Sequence, residues 1–171
     1  WVKENGGVVQ AVALALFVNK EKHQKHQSAI DSVYRLAAEK LNVEYLNRRQ
    51  LYGLSEERQA AYEETWSAIE LEVAPALQKV KTTYPAVNVA DFVDHIDYIK
   101  DKIGINHVGI SSDFDGGGGI EGWQDASETF NVTLELVKRG YTEEEIGKIW
   151  SGNLLRVLDE AEATAKKIQS E

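Results

Sequence analysis

Residues 107–125, HVGISSDFDGGGGIEGWQD, constrain the fold more than any other part of the chain. An apolar run, Val108 to Ile110, passes through Ser111 and Ser112 to Asp113, Phe114 and Asp115, and four consecutive glycines follow. Glycine has no Cβ and tolerates φ > 0, so neither a strand nor a helix propagates comfortably through such a run. The pattern is that of a short buried strand that ends on a carboxylate and opens into a loop with almost no side chains. A carboxylate at the C-terminal tip of a barrel or α/β strand is where catalytic groups commonly sit. The same acids and glycines also make a sharp turn. From these residues alone both readings stand.

A second apolar run, VVQAVALALFV at 8–18, follows Gly6-Gly7. Glycine just past a polar helical tail is a common stop signal, and a continuous apolar run reads as a strand buried on both faces, as in a parallel sheet. The Ala and Leu at 13–16 also permit a helix. From Asn19 to Tyr84 the periodicity becomes helical. Ile30, Val33, Tyr34, Leu36, Ala37 and Leu41 predict an amphipathic helix over about 27–41, stopping at Asn42. A shorter piece follows at 43–51. Ser55, with Glu56 and Glu57 behind it, then starts a helix whose stripe is Tyr62, Trp66, Ile69, Val73, Leu77 and Val80. Pro75 should kink or divide that helix. Asn88 caps another, striped with Val89, Phe92, Val93, Ile96, Ile99 and Ile103, which Gly104 closes before the focal strand. Strand, helical crossover and strand make a parallel βαβ arrangement. Beyond the glycines, Asp125 or Ser127 starts a helix to Arg139, Thr142 and Glu145 have capping-box spacing, and a final helix runs from about Asn153.

Composition narrows the function. A net charge of −9 argues against a nucleic-acid partner, which requires clustered Lys and Arg. The absence of cysteine excludes disulfides and thiolate metal sites and leaves the compartment open. The longest apolar run, Gly6 to Val18, falls short of the roughly 20 residues of a membrane span. The chain begins at Trp1 and contains no methionine, so its N-terminus is expected to be processed, trimmed or internal to something longer.

Several sites can be set aside. Asp113 and Asp115 take the first two ligand spacings of an EF-hand loop, but Gly117 and Gln124 stand where further ligands belong. The glycine loop has no Lys or Ser/Thr at P-loop spacing, and its two acids would repel a phosphate. His23 and His26 share a helical face among lysines, which disfavours a cation. His95, beside an apolar stripe, and His107, at a strand start, read as structural. Asp91, Asp94, Asp97 and Asp101 read as a solvated acidic face. Ser111 and Ser112 lie in no G-x-S-x-G elbow, which argues against a serine hydrolase. Asp113 survives as a base or ligand-orienting carboxylate whose partners lie elsewhere.

NGGVVQ at 5–10, DFVDHIDYIKDKIG at 91–104, HVGISSDFDGGGG at 107–119, WQDASE at 123–128 and GYTEEEIGKIWSGNLLRVL at 140–158 together resemble the C-terminal part of the membrane (renal) dipeptidase family. The SDFDG element is highly specific and the GNLLRV ending moderately so. The family comprises zinc-dependent dipeptidases built on a metallo-hydrolase (β/α)8 barrel. The resemblance implies that the two strands are the seventh and eighth of that barrel. Asp113 matches the acid beside a hydroxide bridging two zinc ions, where it accepts a proton or binds the dipeptide's amino group. Phe17 falls near an aromatic lining the substrate pocket. Many members carry an Asn after the first strand's core, where this chain has Ala11 and Val12. The family's zinc ligands, a His-x-Asp pair, a Glu and two further His, are expected upstream of this chain, and none of its four histidines matches them.

The expected fold is therefore α/β and helix-rich: the last two βα units of a (β/α)8 metallo-hydrolase barrel, with a mostly helical insertion at 20–84 inside a single segment, 1–171. The expected function is the C-terminal part of a zinc-dependent dipeptidase, inactive as a segment. Its expected partners are a dipeptide and either the remainder of the barrel or further copies of the chain, because two strands cannot close a barrel. A helical interaction module and a non-catalytic divergent barrel member are the alternatives.

Overall fold

The computed structural model describes residues 1–170, and the chain divides into two compact units, Trp1–Lys20 with Val87 onward, and Glu21–Ala86. The first unit holds the sheet. β1 (Val9–Val12) and β2 (Val108–Ser111) pair in parallel, with Val9 opposite Val108 and Val12 opposite Ser111. This register sorts the side chains, because alternate residues of a strand face opposite ways. Ala11 and Val108 belong to the main core, together with Ala13 just past β1, whereas Gln10, Val12, Gly109 and Ser111 occupy the other face.

The sequence predicts a strand over 8–18, but pairing stops at Val12 and Ala15–Val18 form a helical turn, α1. β2 ends at Ser111, so the residues beyond Val12 have no strand ladder to join. Ala13, Leu14, Ala15 and Leu16 among them are also good helix formers. Helix α5 (Val89–Ile103) is the crossover packed on the core face. Its cap is a reciprocal one between Asn88 and Asp91, and Val89, Phe92, Val93 and Ile96 are buried as the periodicity required. Gly104 follows at φ 95°, a conformation that favours glycine.

Beyond β2 the chain passes a 3-10 turn (Phe114–Gly116) and returns through Ile120 and Trp123, whose backbones bond each other at 3.2 and 2.9 Å. Instead of one helix from 125 to 139, Asp125 caps a 3-10 turn (Ala126–Glu128) and α6 (Phe130–Lys138) follows. α7 (Glu143–Gly147) starts on the Thr142/Glu145 capping box. A π-turn (Lys148–Gly152) leads into α8 (Asn153–Gln169). Asn153 is buried at 3% exposure, and its Nδ2 donates to the carbonyls of Ile105 and Val108 at 2.7 and 2.8 Å. It thereby donates from α8 to the backbone leading into β2.

The second unit is helical. α2 (Lys20–Leu41) begins about seven residues before the expected start near 27, and Asn42 ends it at φ 55°. α3 is Arg48–Tyr52, shorter than the expected 43–51 and capped by Asn47 with Gln50. α4 (Glu56–Thr83) runs unbroken through Pro75. A proline in a helix interior removes one hydrogen bond at a cost of about 3 kcal/mol. Here Val73 before it and Leu77 after it pack into one cluster with Ala37, Ala38 and Ile69, so the buried stripe continues past the proline. Among the described residues no helix is long and apolar enough to cross a membrane.

Candidate active site

Parallel strands put both of their C-terminal loops at one end of the sheet, and the candidate site is built there. The loop after β1 and the loop after β2 are bonded to each other. Ala13 N–H donates to the Ser111 carbonyl at 2.9 Å, and Gly119 N–H donates to the Ala13 carbonyl at 3.2 Å. Asp113 thus sits at the tip of β2, and Phe17, on α1, sits just beyond the tip of β1.

Asp113 is one of two non-glycine residues with positive φ among the described residues, at φ 57° and ψ 31°. Such a residue is uncommon and points to a functional constraint or a tight turn. Asp tolerates the conformation better than most residues. Its carbonyl accepts from Gly116 N–H at 3.0 Å and Gly118 N–H at 2.6 Å, which folds the glycine run back over it. Phe114 anchors the other side, since its ring meets Trp123 edge-on at 5.6 Å within the aromatic group that also holds Phe92 and Trp150. The Asp113 backbone is therefore held on both flanks. Its half-buried carboxylate makes no hydrogen bond or ion pair among the described residues.

The glycines are required by space as much as by dihedral angle. A Cβ on Gly116 would lie 2.3 Å from Asp113 Oδ1, and one on Gly118 would lie 2.1 Å from the Ser112 carbonyl oxygen. Asp115 is exposed. Phe17 is 65% exposed, a free aromatic surface at the same end of the sheet as Asp113. Gln10 lies on the sheet face away from the core, directly over Gly109, where a Cβ would come within 2.3 Å of Gln10 Oε1. That oxygen is buried and lacks a partner among the described residues. Sequence reasoning carries Gln10 only as the last residue of the NGGVVQ motif and gives it no role of its own.

Three of the four histidines are bonded to backbone carbonyls. His95 Nε2 pairs with the Val18 carbonyl at 2.7 Å, His107 Nδ1 with the Gly7 carbonyl at 2.7 Å and His26 Nδ1 with the Tyr84 carbonyl at 2.6 Å. Of the acids of α5 expected to form a solvated face, Asp94 and Asp101 are exposed, but Asp91, Asp94 and Asp97 are engaged by specific partners. Asp91 caps its own helix, and Arg139 takes Asp94 at 2.6 Å and Asp97 at 2.7 Å. Helical spacing alone could not show that an arginine 42 residues on would fold back to them. No group of three His, Cys, Asp or Glu that could hold a metal ion exists among the described residues. The residues present do not fit a zinc shell.

A family model described as membrane dipeptidase (peptidase family M19) matches residues 1–171. The chain belongs to the membrane dipeptidase family. Among similar relatives is dipeptidase aclJ of Aspergillus oryzae, 39% identical over 84 residues, which are 48% of this chain and 20% of that protein. Another is dipeptidase 3 of Rattus norvegicus, 40% identical over 82 residues, which are 47% of this chain and 17% of that protein. A similar solved structure is that of the probable dipeptidase PvdM from Pseudomonas aeruginosa, with 34% identity and a TM-score of 0.52 over 91% of this chain and 37% of that one. This member of the dipeptidase family thus spans about a fifth of the length of the curated relatives it matches. Its helix-rich α/β architecture accompanies that membership.

Proposed function

We propose that this chain supplies the last two βα units of the (β/α)8 barrel of a zinc-dependent dipeptidase, and that Asp113 is its catalytic carboxylate. The observation that carries the reading is Asp113 itself: a side chain without a partner among the described residues, at the tip of a parallel strand, on a backbone fixed in a strained conformation. The family supports the substrate class, because the relatives it matches are named dipeptidases. The sheet supports the barrel reading, with helices packed on one face and Gln10, Val12, Gly109 and Ser111 on the other. In a barrel that second face looks inward.

The chain's own residues do not fit a zinc shell, so the metal ligands are assigned to the other strands of the intact protein. What this chain contributes is a fixed acceptor. A dipeptide presents a free ammonium group beside its scissile carbonyl, and an unpaired carboxylate either binds that ammonium or accepts a proton during hydrolysis. Phe17 offers an apolar wall at the same end of the sheet.

The test is Asp113→Asn in the intact enzyme, a substitution that keeps shape and removes the charge. Turnover on dipeptides should fall by roughly 10²–10⁴-fold, the usual scale for a general base, while zinc per chain, measured by elemental analysis, stays unchanged. A rise in KM at constant kcat would assign Asp113 to binding the amine alone. Wild-type kcat and KM would remove it from the mechanism.

A further inference from the structure

The helical unit Glu21–Ala86 contains a cleft of about 940 Å³ that has no part in the proposed chemistry. Its floor is aromatic. Tyr34, Tyr45 and Trp66 have centroids 5.3, 5.8 and 6.5 Å apart and planes within 27° of one another. Three rings piled in a column would put the outer two much farther apart than the inner pairs. The nearly equal separations exclude a single column, and nearly parallel rings this close are offset-stacked on one another as one aromatic cluster lining the cleft. Tyr62 holds the loop that carries Tyr45, donating to the Glu44 carbonyl at 2.7 Å and accepting from Leu46 N–H at 2.9 Å.

The charged residues that line the cleft are all acidic. Glu56, Glu63 and Glu70 line the cleft from α4, each seven residues from the next and so about 10.5 Å apart along one helix face. None of the three has an ion-pair partner among the described residues, and no Lys, Arg or His is among the described residues lining the cleft. Burial and the neighbouring charge of Glu70 push the Tyr34 hydroxyl above its ordinary range, which places that negative charge close to the floor. The chain already shows what such a floor accepts, since the guanidinium of Arg35, held by Asp31 at 2.7 Å, lies 5.6 Å from the centroid of Tyr45.

We propose that this cleft is a docking site for an arginine-bearing segment of a partner polypeptide. A planar guanidinium stacks on a flat aromatic surface and pairs with a carboxylate at its edge, whereas a compact ammonium does the first poorly. Carboxylates repeated along the helix suit several basic side chains on one strand of polypeptide rather than a single small cation. The inference is independent of the dipeptidase reading, because none of its residues belongs to the Asp113 site.

The experiment titrates the whole 171-residue chain with an end-blocked triarginine peptide by calorimetry, beside blocked trilysine, blocked triglutamate and arginine amide. Triarginine should bind saturably, roughly tenfold more tightly than trilysine or arginine amide, with triglutamate silent. The double variant Glu63→Gln/Glu70→Gln should lose roughly tenfold in affinity for triarginine. Glu57→Gln/Glu64→Gln removes the same charge from exposed positions on the same helix outside the cleft and should change it less than about twofold. Because all four positions are exposed, both variants are expected to fold, and circular dichroism verifies it. Absence of saturable triarginine binding overturns the proposal. So does equal weakening by the two double variants, or equal affinity for triarginine and arginine amide.

Discussion

At the scale of single residues, several polar groups inside the sheet-bearing unit are held by specific partners, and one of them makes stability depend on pH. Tyr141 is buried at 7% exposure, and its hydroxyl donates to Asp97 Oδ1 at 2.5 Å, while Lys100 Nζ lies 4.3 Å from its ring centroid. Asp97 also accepts from Arg139, which reaches Glu135 at 2.9 Å and the Ala90 carbonyl at 2.8 Å. Burial first, then the bond to Asp97 and its negative charge, push the Tyr141 hydroxyl well above the ordinary tyrosine range. The folded chain therefore keeps this proton at a pH where the unfolded chain has lost it. The stabilisation is complete below the unfolded value of about 10 and declines as pH rises from there towards the folded value. Tyr141→Phe should cost about 1–3 kcal/mol at neutral pH, since it leaves a charged acceptor one donor short. Its stability should also fall less steeply than that of the wild type above pH ~10. Urea denaturation of both chains at pH about 8 and about 11 measures this, and parallel losses would remove Tyr141 as the source. Asp113 was visible in the sequence because a strand pattern, an acid and four glycines coincide. Tyr141, Arg139 and Asn153 were not, because each acts on groups more than 40 residues away.

At the scale of elements, local signals predicted well and tertiary contacts explain the departures. The caps at Asn88 and Thr142 and the buried stripe of α5 formed as written, because they need only neighbours in the chain. The run at 8–18 became a short strand and a helical turn because its partner strand ends at Ser111, a length no property of residues 8–18 encodes. Pro75 is expected from sequence to kink or divide its helix, but α4 is continuous from Glu56 to Thr83, with buried residues packed on both sides of the proline. The glycine loop is the element on which the site depends most. Gly118→Ala would drive a Cβ into the Ser112 carbonyl at 2.1 Å and the Asp113 carbonyl oxygen at 2.6 Å, both backbone atoms that cannot rotate away. A destabilisation of about 1–3 kcal/mol is expected, on the scale of overpacking a tight site. Under the proposed function, turnover of the intact protein should fall with it as Asp113 shifts. Gly147→Ala, in α7, meets nothing within 4 Å and should be neutral or stabilising by up to ~1 kcal/mol. Denaturant midpoints of the two variants measure the contrast, and equal midpoints would show that the loop is not tightly packed around Asp113.

At the scale of the whole molecule, a sheet of two parallel strands sets what the chain can do. Neither β1 nor β2 has a second strand neighbour among the described residues, and Asn153 satisfies only the start of β2. Parallel strands ordinarily occur in larger sheets covered on both faces, and an unpaired edge invites pairing with another chain. The face carrying Gln10, Val12 and Ser111 ends at Asp113, so under the proposed function the remaining strands would supply both the sheet neighbours and the metal ligands. The 171-residue chain by itself should therefore neither retain zinc at one ion per chain nor cleave dipeptides. The described residues gather no metal-ligating group, and three of the four histidines are bonded to backbone carbonyls. Elemental analysis after zinc loading and dialysis, with a dipeptide hydrolysis assay on the same sample, checks both halves. Size-exclusion chromatography with light scattering adds the state of association. Stoichiometric zinc together with hydrolysis would mean that the chain builds a complete centre from its own residues, either alone or by bringing the strand ends of several copies together. The assignment of the metal ligands to other strands would then be wrong, whereas a carboxylate role for Asp113 would survive and could be tested in that same sample.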